Sequence, residues 1–317
     1  MLGWRNNAVA VFDVGYMTGL LADFESHHQQ VGDVKLHYRK GGTGPPLVLL
    51  HGYPQTHLMW HEIAPYLAAD FTVYLPDLRG YGDSSKPAGG PLHNDPNHRR
   101  YSKRQMATDI IGLMTALEIN TFNLVGHDRG ARVAHRLCLD HGNRVNRVAF
   151  LDIVPTHAIF QQTDQSIAMR FYHWFFLIQP EPFPETIIGR DPGWWLRSKL
   201  AAWSMNFEAF NPAAIEEYER CFADPEAIHA SCEDYRAGAT ADMIDDTVDF
   251  GKNLVTNPAL VLWGRGFLGQ RFDVMNIWQQ YATDIRGHEL NCGHFLPEEA
   301  PTDTLLALRA FLTNQSL

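Results

Sequence analysis

The chain has 317 residues and a mass of 35.9 kDa, a size that suits one large α/β domain carrying an insertion. Its formal net charge of −10 and its pI of about 5.9 argue against nucleic acid or an anionic membrane surface as a partner. A hydrophobic fraction of 45% excludes a disordered chain, and no stretch approaches the ~18 consecutive apolar residues of a membrane span.

The N-terminal segment and the cysteines bear on where the chain resides. Residues 1–30 are expected to be a leader of unassigned role rather than a signal peptide, because Asp13 interrupts their apolar stretch. Four widely spaced cysteines, none in a C-x-x-C pair, indicate reduced thiols that pack as small hydrophobic groups. We therefore expect a cytoplasmic protein.

Short apolar runs alternate with helical patterns along most of the chain. Strands are predicted at 46–51, 71–75, 122–125, 148–151, 259–263 and 285–290, and helices at 102–117, 131–139 and 301–312. This alternation is typical of the α/β class, in which helices flank a mostly parallel sheet.

Residues 156–250 differ in amino-acid composition from the rest of the sequence. They are rich in Trp, Phe, Tyr and Pro and contain no β-branched strand run. The sequence therefore predicts a helical cap inserted between the two parts of the core, residues 31–155 and 251–317. Such a cap is expected to cover the carboxyl ends of the strands, where open α/β sheets bind ligands.

A sharp turn is predicted after the strand at 122–125, in the segment Gly-His-Asp-Arg-Gly at 126–130. The pattern G-x-S-x-G between a strand and a helix is the nucleophile elbow of α/β hydrolases. Asp128 stands where that pattern has serine, so it is the predicted nucleophile. The alternative is that Asp128 only caps the helix that follows.

His294 follows the last predicted strand and precedes the final helix, which is the chain position expected for the general base. Asp152, at the end of the strand at 148–151, is the preferred partner for orienting His294. Asp273 is the alternative, although no acid stands in the turn directly after the strand at 259–263.

Two backbone N–H groups are predicted to form an oxyanion hole. The first belongs to Tyr53, in the turn His51-Gly52-Tyr53 after the strand at 46–51. The second belongs to Arg129, directly after the nucleophile.

An aspartate nucleophile selects the reaction class. A serine that displaced a group from an alkyl carbon would leave an ether, which this site could not hydrolyse. Asp128 would instead leave an ester, whose carbonyl a water activated by His294 can attack. The sequence therefore predicts displacement at the carbon of a halide or an epoxide, followed by hydrolysis.

Arg129 and Arg132 lie on the first turn of the helix after the elbow and have no acidic neighbour in the sequence apart from the nucleophile Asp128. Guanidinium groups bind carboxylates in a bidentate manner. These residues are therefore predicted to hold a 2-substituted acid with its α-carbon facing Asp128. The alternative is that both form surface salt bridges.

With these motifs, the chain resembles the fluoroacetate (haloacetate) dehalogenases of the α/β-hydrolase superfamily. The resemblance runs from about residue 32 to residue 315. It is carried by HGYPQTHLMWHEIAPYLA, GHDRGARVAHRL, LDIVPT, YHWFFL, CEDYRAGATADM and GHFLPEEAP. The related haloalkane dehalogenases and epoxide hydrolases commonly have Trp after the nucleophile, where this chain has Arg129.

The resemblance implies a small-molecule haloacid substrate, glycolate and halide as products, no cofactor and no metal, and a homodimer. It gives Asp128, His294 and Asp152 the roles argued above and implies carboxylate binding by Arg129 and Arg132. Within the cap it implies three halide-binding donors and a pocket-wall residue, namely His173, Trp174, Tyr235 and Trp203.

Two alternatives compete with the dehalogenase. An epoxide hydrolase would use the same nucleophile and base but needs cap tyrosines, for which Tyr235 and Tyr172 are candidates. Its neutral substrate would leave the arginine pair without a role. The other alternative is a non-catalytic binding protein, which needs no water-activating base. His57 and His61 have a metal-compatible spacing, but no third ligand is evident in the sequence.

Overall fold

Residues 19–314 are described in the computed structural model and contain an eight-stranded sheet. The strands are β1 (Glu25–Val31), β2 (Val34–Gly41), β3 (Pro46–Leu50), β4 (Thr72–Pro76), β5 (Phe122–His127), β6 (Val145–Leu151), β7 (Ala259–Gly264) and β8 (Ile285–Leu290). Their spatial order is β1-β2-β4-β3-β5-β6-β7-β8; β2 is antiparallel to β1 and β4, and the remaining pairs are parallel. The predicted α/β class is confirmed.

The expected boundary of the leader is wrong at its C-terminal end. Residues 25–30 belong to β1, which pairs with β2, so the core begins no later than Glu25 instead of at residue 31. β1 lies at the edge of the sheet and exposes most of its Ser, His and Gln side chains, so it lacks the apolar run by which buried strands are recognised. Residues 1–18 of the expected leader lie outside the described residues.

The helices outside the insertion include the two long ones that the sequence predicted early in the chain. The Ser102 hydroxyl accepts a hydrogen bond from the Gln105 N–H and caps the first of them. The second follows the elbow and packs against β3, β5 and β6. These helices are α1 (Ala64–Leu67), α2 (Lys103–Ala116), α3 (Arg129–His141), α12 (Val274–Trp278), α13 (Leu296–Glu299) and α14 (Pro301–Leu312).

Residues 156–250 form only helices and connecting segments, as their composition indicated. Several of these helices begin with a proline preceded by Asp or Asn, whose side chain accepts a hydrogen bond from the first turn. The helices are α4 (Thr156–Gln161), α5 (Gln165–Arg170), α6 (Tyr172–Leu177), α7 (Phe183–Ile188), α8 (Pro192–Trp203), α9 (Pro212–Phe222), α10 (Pro225–Ala239) and α11 (Ala241–Asp249).

The parallel strands bring the predicted site residues to one edge of the sheet. Tyr53 follows β3, Asp128 follows β5, Asp152 follows β6 and His294 follows β8. Because the carboxyl ends of parallel strands lie at the same edge, residues far apart in sequence meet there. Within residues 19–314, no helix is long and apolar enough to cross a membrane.

Candidate active site

Asp128 occupies a strained turn between β5 and α3. Its φ of 47° and ψ of −116° are rare for a residue with a side chain. The two glycines of the turn are required by close packing: a Cβ on Gly126 would lie 2.5 Å from the Gly130 oxygen, and one on Gly130 would lie 2.4 Å from the His51 oxygen. The Asp128 side chain makes no capping hydrogen bond, so the capping alternative is wrong.

His294 contacts both of the expected carboxylates. Its Nδ1–H donates to Asp152 Oδ2 at 2.5 Å, and its Nε2 lies 3.6 Å from Asp128 Oδ2. Asp152 is in turn fixed by the Gly264 N–H, which donates to Oδ1 at 2.8 Å. The alternative acid Asp273 is exposed and caps α12. The geometry therefore supports Asp152 as the residue that orients His294.

One predicted oxyanion donor points at the nucleophile. The Tyr53 N–H donates to Asp128 Oδ1 at 3.0 Å, and Gly52 permits this approach because a Cβ there would lie 2.5 Å from the Asp128 Cβ. The buried Tyr53 side chain is linked to α8 by Trp195, whose indole N–H donates to the Tyr53 hydroxyl at 2.6 Å. The Arg129 N–H remains a predicted second donor.

The charge states of Asp128 and His294 depend on each other. Burial disfavours the Asp128 carboxylate, but its interaction with the protonated His294, whose Nε2 lies 3.6 Å away, outweighs that cost and holds the Asp128 pKa well below its usual range. Burial likewise opposes the imidazolium, yet Asp128 and Asp152 together raise the His294 pKa to about 9. The resting site therefore contains an ionised nucleophile beside a protonated histidine at neutral pH.

The two arginines have different environments, which the sequence did not distinguish. Arg129 forms a bidentate ion pair with Asp234 of α10: Nε donates to Oδ2 at 3.0 Å and Nη2 donates to Oδ1 at 2.7 Å. Both side chains are buried, and Arg129 Nη1 has no partner. Asp234 directly precedes Tyr235 in the CEDYRAG segment, which was the available sequence signal for it.

Arg132 is the buried guanidinium without an acidic hydrogen-bond partner. Its Nη1 donates to the Val154 carbonyl and to the Thr156 hydroxyl, both at 3.0 Å, while Nε has no partner. Burial and the neighbouring charge of Arg129 lower the Arg132 pKa to about 10. A carboxylate bound here would relieve both effects. The alternative of two surface salt bridges is wrong, because both arginines are buried.

The three predicted halide donors form a cluster of rings within the helical insertion. The His173 ring lies 5.8 Å and the Trp174 ring 6.0 Å from the ring of Tyr235. The Tyr235 hydroxyl and His173 Nδ1 are buried without a hydrogen-bond partner. Burial lowers the His173 pKa and raises the Tyr235 pKa, so the imidazole is neutral and the phenol keeps its proton.

A small pocket lies beside Asp128, and two of the three predicted halide donors, His173 and Trp174, line it. Trp203 belongs to its wall, as expected, and its ring lies 4.4 Å from the ring of His173. Three apolar wall residues were not predicted, because nothing in their local sequence distinguishes them from ordinary core residues. The lining consists of Asp128, Arg132, Asp152, Phe171, His173, Trp174, Trp203, Phe267, Leu268 and His294.

His57 clusters with His37 and Asp77, and not with His61, the residue that its spacing in the sequence had suggested. Its Nδ1–H donates to Asp77 at 2.9 Å, and His37 Nδ1–H donates to the same carboxylate at 2.8 Å. These three residues are close enough to hold a metal ion. However, Asp77 also accepts the N–H groups of His57 and Asp83, so hydrogen bonds already account for its oxygens.

The chain is similar in sequence to known proteins. Residues 45–301 match the family model of the alpha/beta hydrolase fold. The chain is 44% identical to a fluoroacetate dehalogenase from Burkholderia sp., over 92% of this chain and 94% of that protein. It is 34% identical to a soluble epoxide hydrolase from Corynebacterium sp. (strain C12), over 87% and 93% of the two chains.

A solved structure agrees with these sequence relationships. The crystal structure of a protein from Nostoc sp. PCC 7120, named as a candidate alpha/beta hydrolase, superimposes with a TM-score of 0.89. It is 52% identical in sequence and covers 92% of this chain and 99% of its own. The likeness therefore extends over both the core and the helical insertion.

Proposed function

The chain belongs to the α/β-hydrolase superfamily, in the group that includes fluoroacetate dehalogenase, and we propose that it converts a 2-haloacetate to glycolate and halide through an ester on Asp128. One observation carries this proposal. An ionised aspartate at a strained elbow, paired with His294, lines the same small pocket as Arg132, which has no acidic hydrogen-bond partner.

Arg132 binds the substrate carboxylate in this proposal. The Nε–H of Arg132 has no hydrogen-bond acceptor, and the carboxylate of a small organic acid would supply both an acceptor and a negative charge. Arg129 contributes through its free Nη1, because Asp234 already occupies the other edge of that guanidinium. The limited volume of the cavity favours a two-carbon acid over a larger one.

Displacement of the halide comes first. An Asp128 oxygen attacks the α-carbon, a carbon–oxygen bond forms, and the carbon–halogen bond breaks with its electron pair leaving on the halide. The N–H and O–H groups of His173, Trp174 and Tyr235 then replace the water that would solvate this ion. Their burial makes such hydrogen bonds stronger than they would be in solvent.

Hydrolysis of the ester follows. Esterification removes the negative charge of Asp128, which is one of the groups that raise the His294 pKa. The His294 pKa therefore falls, the imidazolium releases its proton to solvent, and the neutral imidazole can act as a base. His294 takes a proton from water, whose oxygen attacks the Asp128 carbonyl carbon. The Tyr53 N–H stabilises the oxyanion, and cleavage releases glycolate and regenerates the carboxylate. These steps use no cofactor and no metal.

Epoxide hydrolysis is the second candidate, because the Corynebacterium relative carries that activity in its name. The structure offers it one suitable proton donor, Tyr235, whose hydroxyl is unpartnered. Tyr172, the other tyrosine considered, is 46% exposed and its hydroxyl is hydrogen-bonded to Lys199. A neutral epoxide would also leave Arg132 without a counter-charge.

Halide release and diol formation separate these functions. The purified protein is incubated with chloroacetate, fluoroacetate or styrene oxide, and halide, glycolate and diol are measured. Glycolate and halide in equal amounts support the dehalogenase. Diol without halide supports the epoxide hydrolase, and no product from any of the three supports a non-catalytic role.

The chain in this proposal has a core of two segments and a cap at 156–250, with the core beginning no later than Glu25.

The protein is also proposed to be a homodimer, as the resemblance implies. Light scattering on the purified protein measures the oligomeric state. A mass near 36 kDa in solution would contradict the homodimer.

A further inference from the structure

The loop that carries His294 is held by a carboxylate five residues further along the chain. Glu299 Oε2 accepts a hydrogen bond from the Gly293 N–H, and Oε1 accepts one from the Phe295 N–H, both at 3.0 Å. These two residues flank His294. One side chain therefore holds the backbone immediately before and after the base.

The same carboxylate reaches the insertion. Glu299 Oε2 also accepts the N–H groups of Met205 at 2.7 Å and Asn206 at 3.3 Å, just beyond the end of α8. The N–H of His294 itself donates to the carbonyl of Trp203, the last residue of α8, at 2.9 Å. The base and the pocket wall are thus joined through backbone hydrogen bonds.

The two segments pack without intervening space. A Cβ on Gly293 would lie 2.5 Å from the Trp203 oxygen and 2.6 Å from the Met205 nitrogen. On the other side, the His127 Nε2–H donates to the His294 carbonyl at 2.8 Å. The His294 peptide is therefore held by the cap through its N–H and by the core through its carbonyl.

Glu298, the neighbour of Glu299, has a separate set of partners. It accepts hydrogen bonds from the Gln55 side chain at 2.5 Å and from the Tyr218 hydroxyl at 2.8 Å. Its contacts lead to the loop after β3 and to α9, whereas those of Glu299 converge on the loop of the base. The link to His294 therefore belongs to Glu299.

We propose that Glu299 is a positioning residue for His294, which it keeps aligned for ester hydrolysis by fastening the loop of the base to the end of α8. The inference rests on the proposed function, in which displacement by Asp128 does not use the base and hydrolysis does. Loss of this carboxylate should therefore slow the second step selectively. A displacement of ~1 Å at a catalytic group can reduce a rate by roughly 100-fold.

The test compares Glu299→Gln with wild type. The amide keeps the size of the side chain but presents N–H groups to backbone donors that need an acceptor. With chloroacetate, we expect a rapid release of one chloride per site at near the wild-type rate, then steady turnover reduced roughly 10- to 100-fold. Intact-protein mass spectrometry should show the carboxymethyl ester accumulating. Glu289→Gln, which removes an exposed ion pair with Arg265, should behave as wild type.

Two results would overturn the inference. One is that chloride release and ester hydrolysis slow by the same factor, and the other is that neither slows. If Glu299→Gln does not fold, Glu299→Asp, which retains the charge with a shorter reach, is measured against the same criteria.

A measurement without substrate keeps this inference separate from the proposed function. The imidazole of His294 is titrated by NMR in wild type and Glu299→Gln, and we expect its pKa to move because its contacts with Asp128 and Asp152 change. An unchanged titration contradicts positioning by Glu299. Absence of halide release from wild type would instead contradict the proposed function.

Discussion

Arg129 and Asp234 form a bidentate ion pair that joins the helix after the nucleophile to α10 of the insertion. Arg129 also lies over the ring of Tyr235, with its guanidinium carbon 4.2 Å from the ring centre. A buried pair of this kind contributes little net stability, but removal of one partner leaves a buried charge uncompensated. The pair therefore keeps the insertion aligned over the elbow.

Asp234→Asn should destabilise the protein by about 3–5 kcal/mol, because Arg129 and Lys103, both buried, would each lose the charge of an ion-pair partner. The free energy of unfolding is measured by urea denaturation. Glu219→Gln is the matched control on the surface of the insertion, where Glu219 pairs with the half-exposed Arg197, and it should cost less than about 1 kcal/mol. Equal effects of the two substitutions would show that the Asp234 pair has no special structural role.

Arg132→Met should raise KM for chloroacetate and lower kcat/KM by roughly 100-fold or more, because the substrate carboxylate loses its charge-assisted hydrogen bonds. Steady-state kinetics on chloroacetate measure both parameters. Arg197→Met, at an exposed ion pair, is the control and should leave both unchanged. Unchanged parameters in Arg132→Met would contradict carboxylate binding at this residue.

His294→Asn should be alkylated but should not turn over, since displacement needs only the ionised Asp128. After incubation with chloroacetate, intact-protein mass spectrometry should show one stable carboxymethyl adduct, and peptide mapping should place it on Asp128. Asp128→Asn should give neither adduct nor turnover. Recovery of unmodified His294→Asn protein would rule out the two-step mechanism.

The base should titrate differently before and after the ester forms. In the free enzyme the His294 pKa is raised to about 9 by Asp128 and Asp152. In the ester the Asp128 charge is gone, so the apparent pKa for hydrolysis should lie below that value. Single-turnover kinetics across pH 5–10 measure hydrolysis, and NMR titration measures the free enzyme. Identical pKa values would contradict the loss of charge on Asp128.

The same shift predicts a trend in stability with pH. The folded-state pKa of His294 lies above its ordinary value of 6.5, so protonation of His294 stabilises the folded protein. This stabilisation is fully present below about pH 6.5. That contribution should disappear as the pH rises from about 6.5 through about 9. Urea denaturation of wild type and His294→Asn across this window should show the difference in unfolding free energy decreasing as the pH rises.

Local sequence predicted six of the eight strands, the elbow and the loop of the base, because each has a local signal. β5 is a short strand that is buried throughout, and Asp128 lies between two glycines that allow close packing. β1 and β2 were missed because polar residues interrupt any continuous apolar run in both strands. Asp152 was preferred to Asp273 from chain position, and the structure brings Asp152 to His294.

The order of residues along the chain was sufficient to identify the α/β fold and to predict a reaction class, since an aspartate at the elbow allows only certain chemistry. It could not distinguish Arg129 from Arg132, whose local contexts are nearly alike. That difference depends on Asp234, 105 positions away, and the support of His294 by α8 depends on hydrogen bonds across a similarly long separation. Periodicity reports which face of an element is buried, whereas the partner of a buried charge is decided only when distant segments pack together.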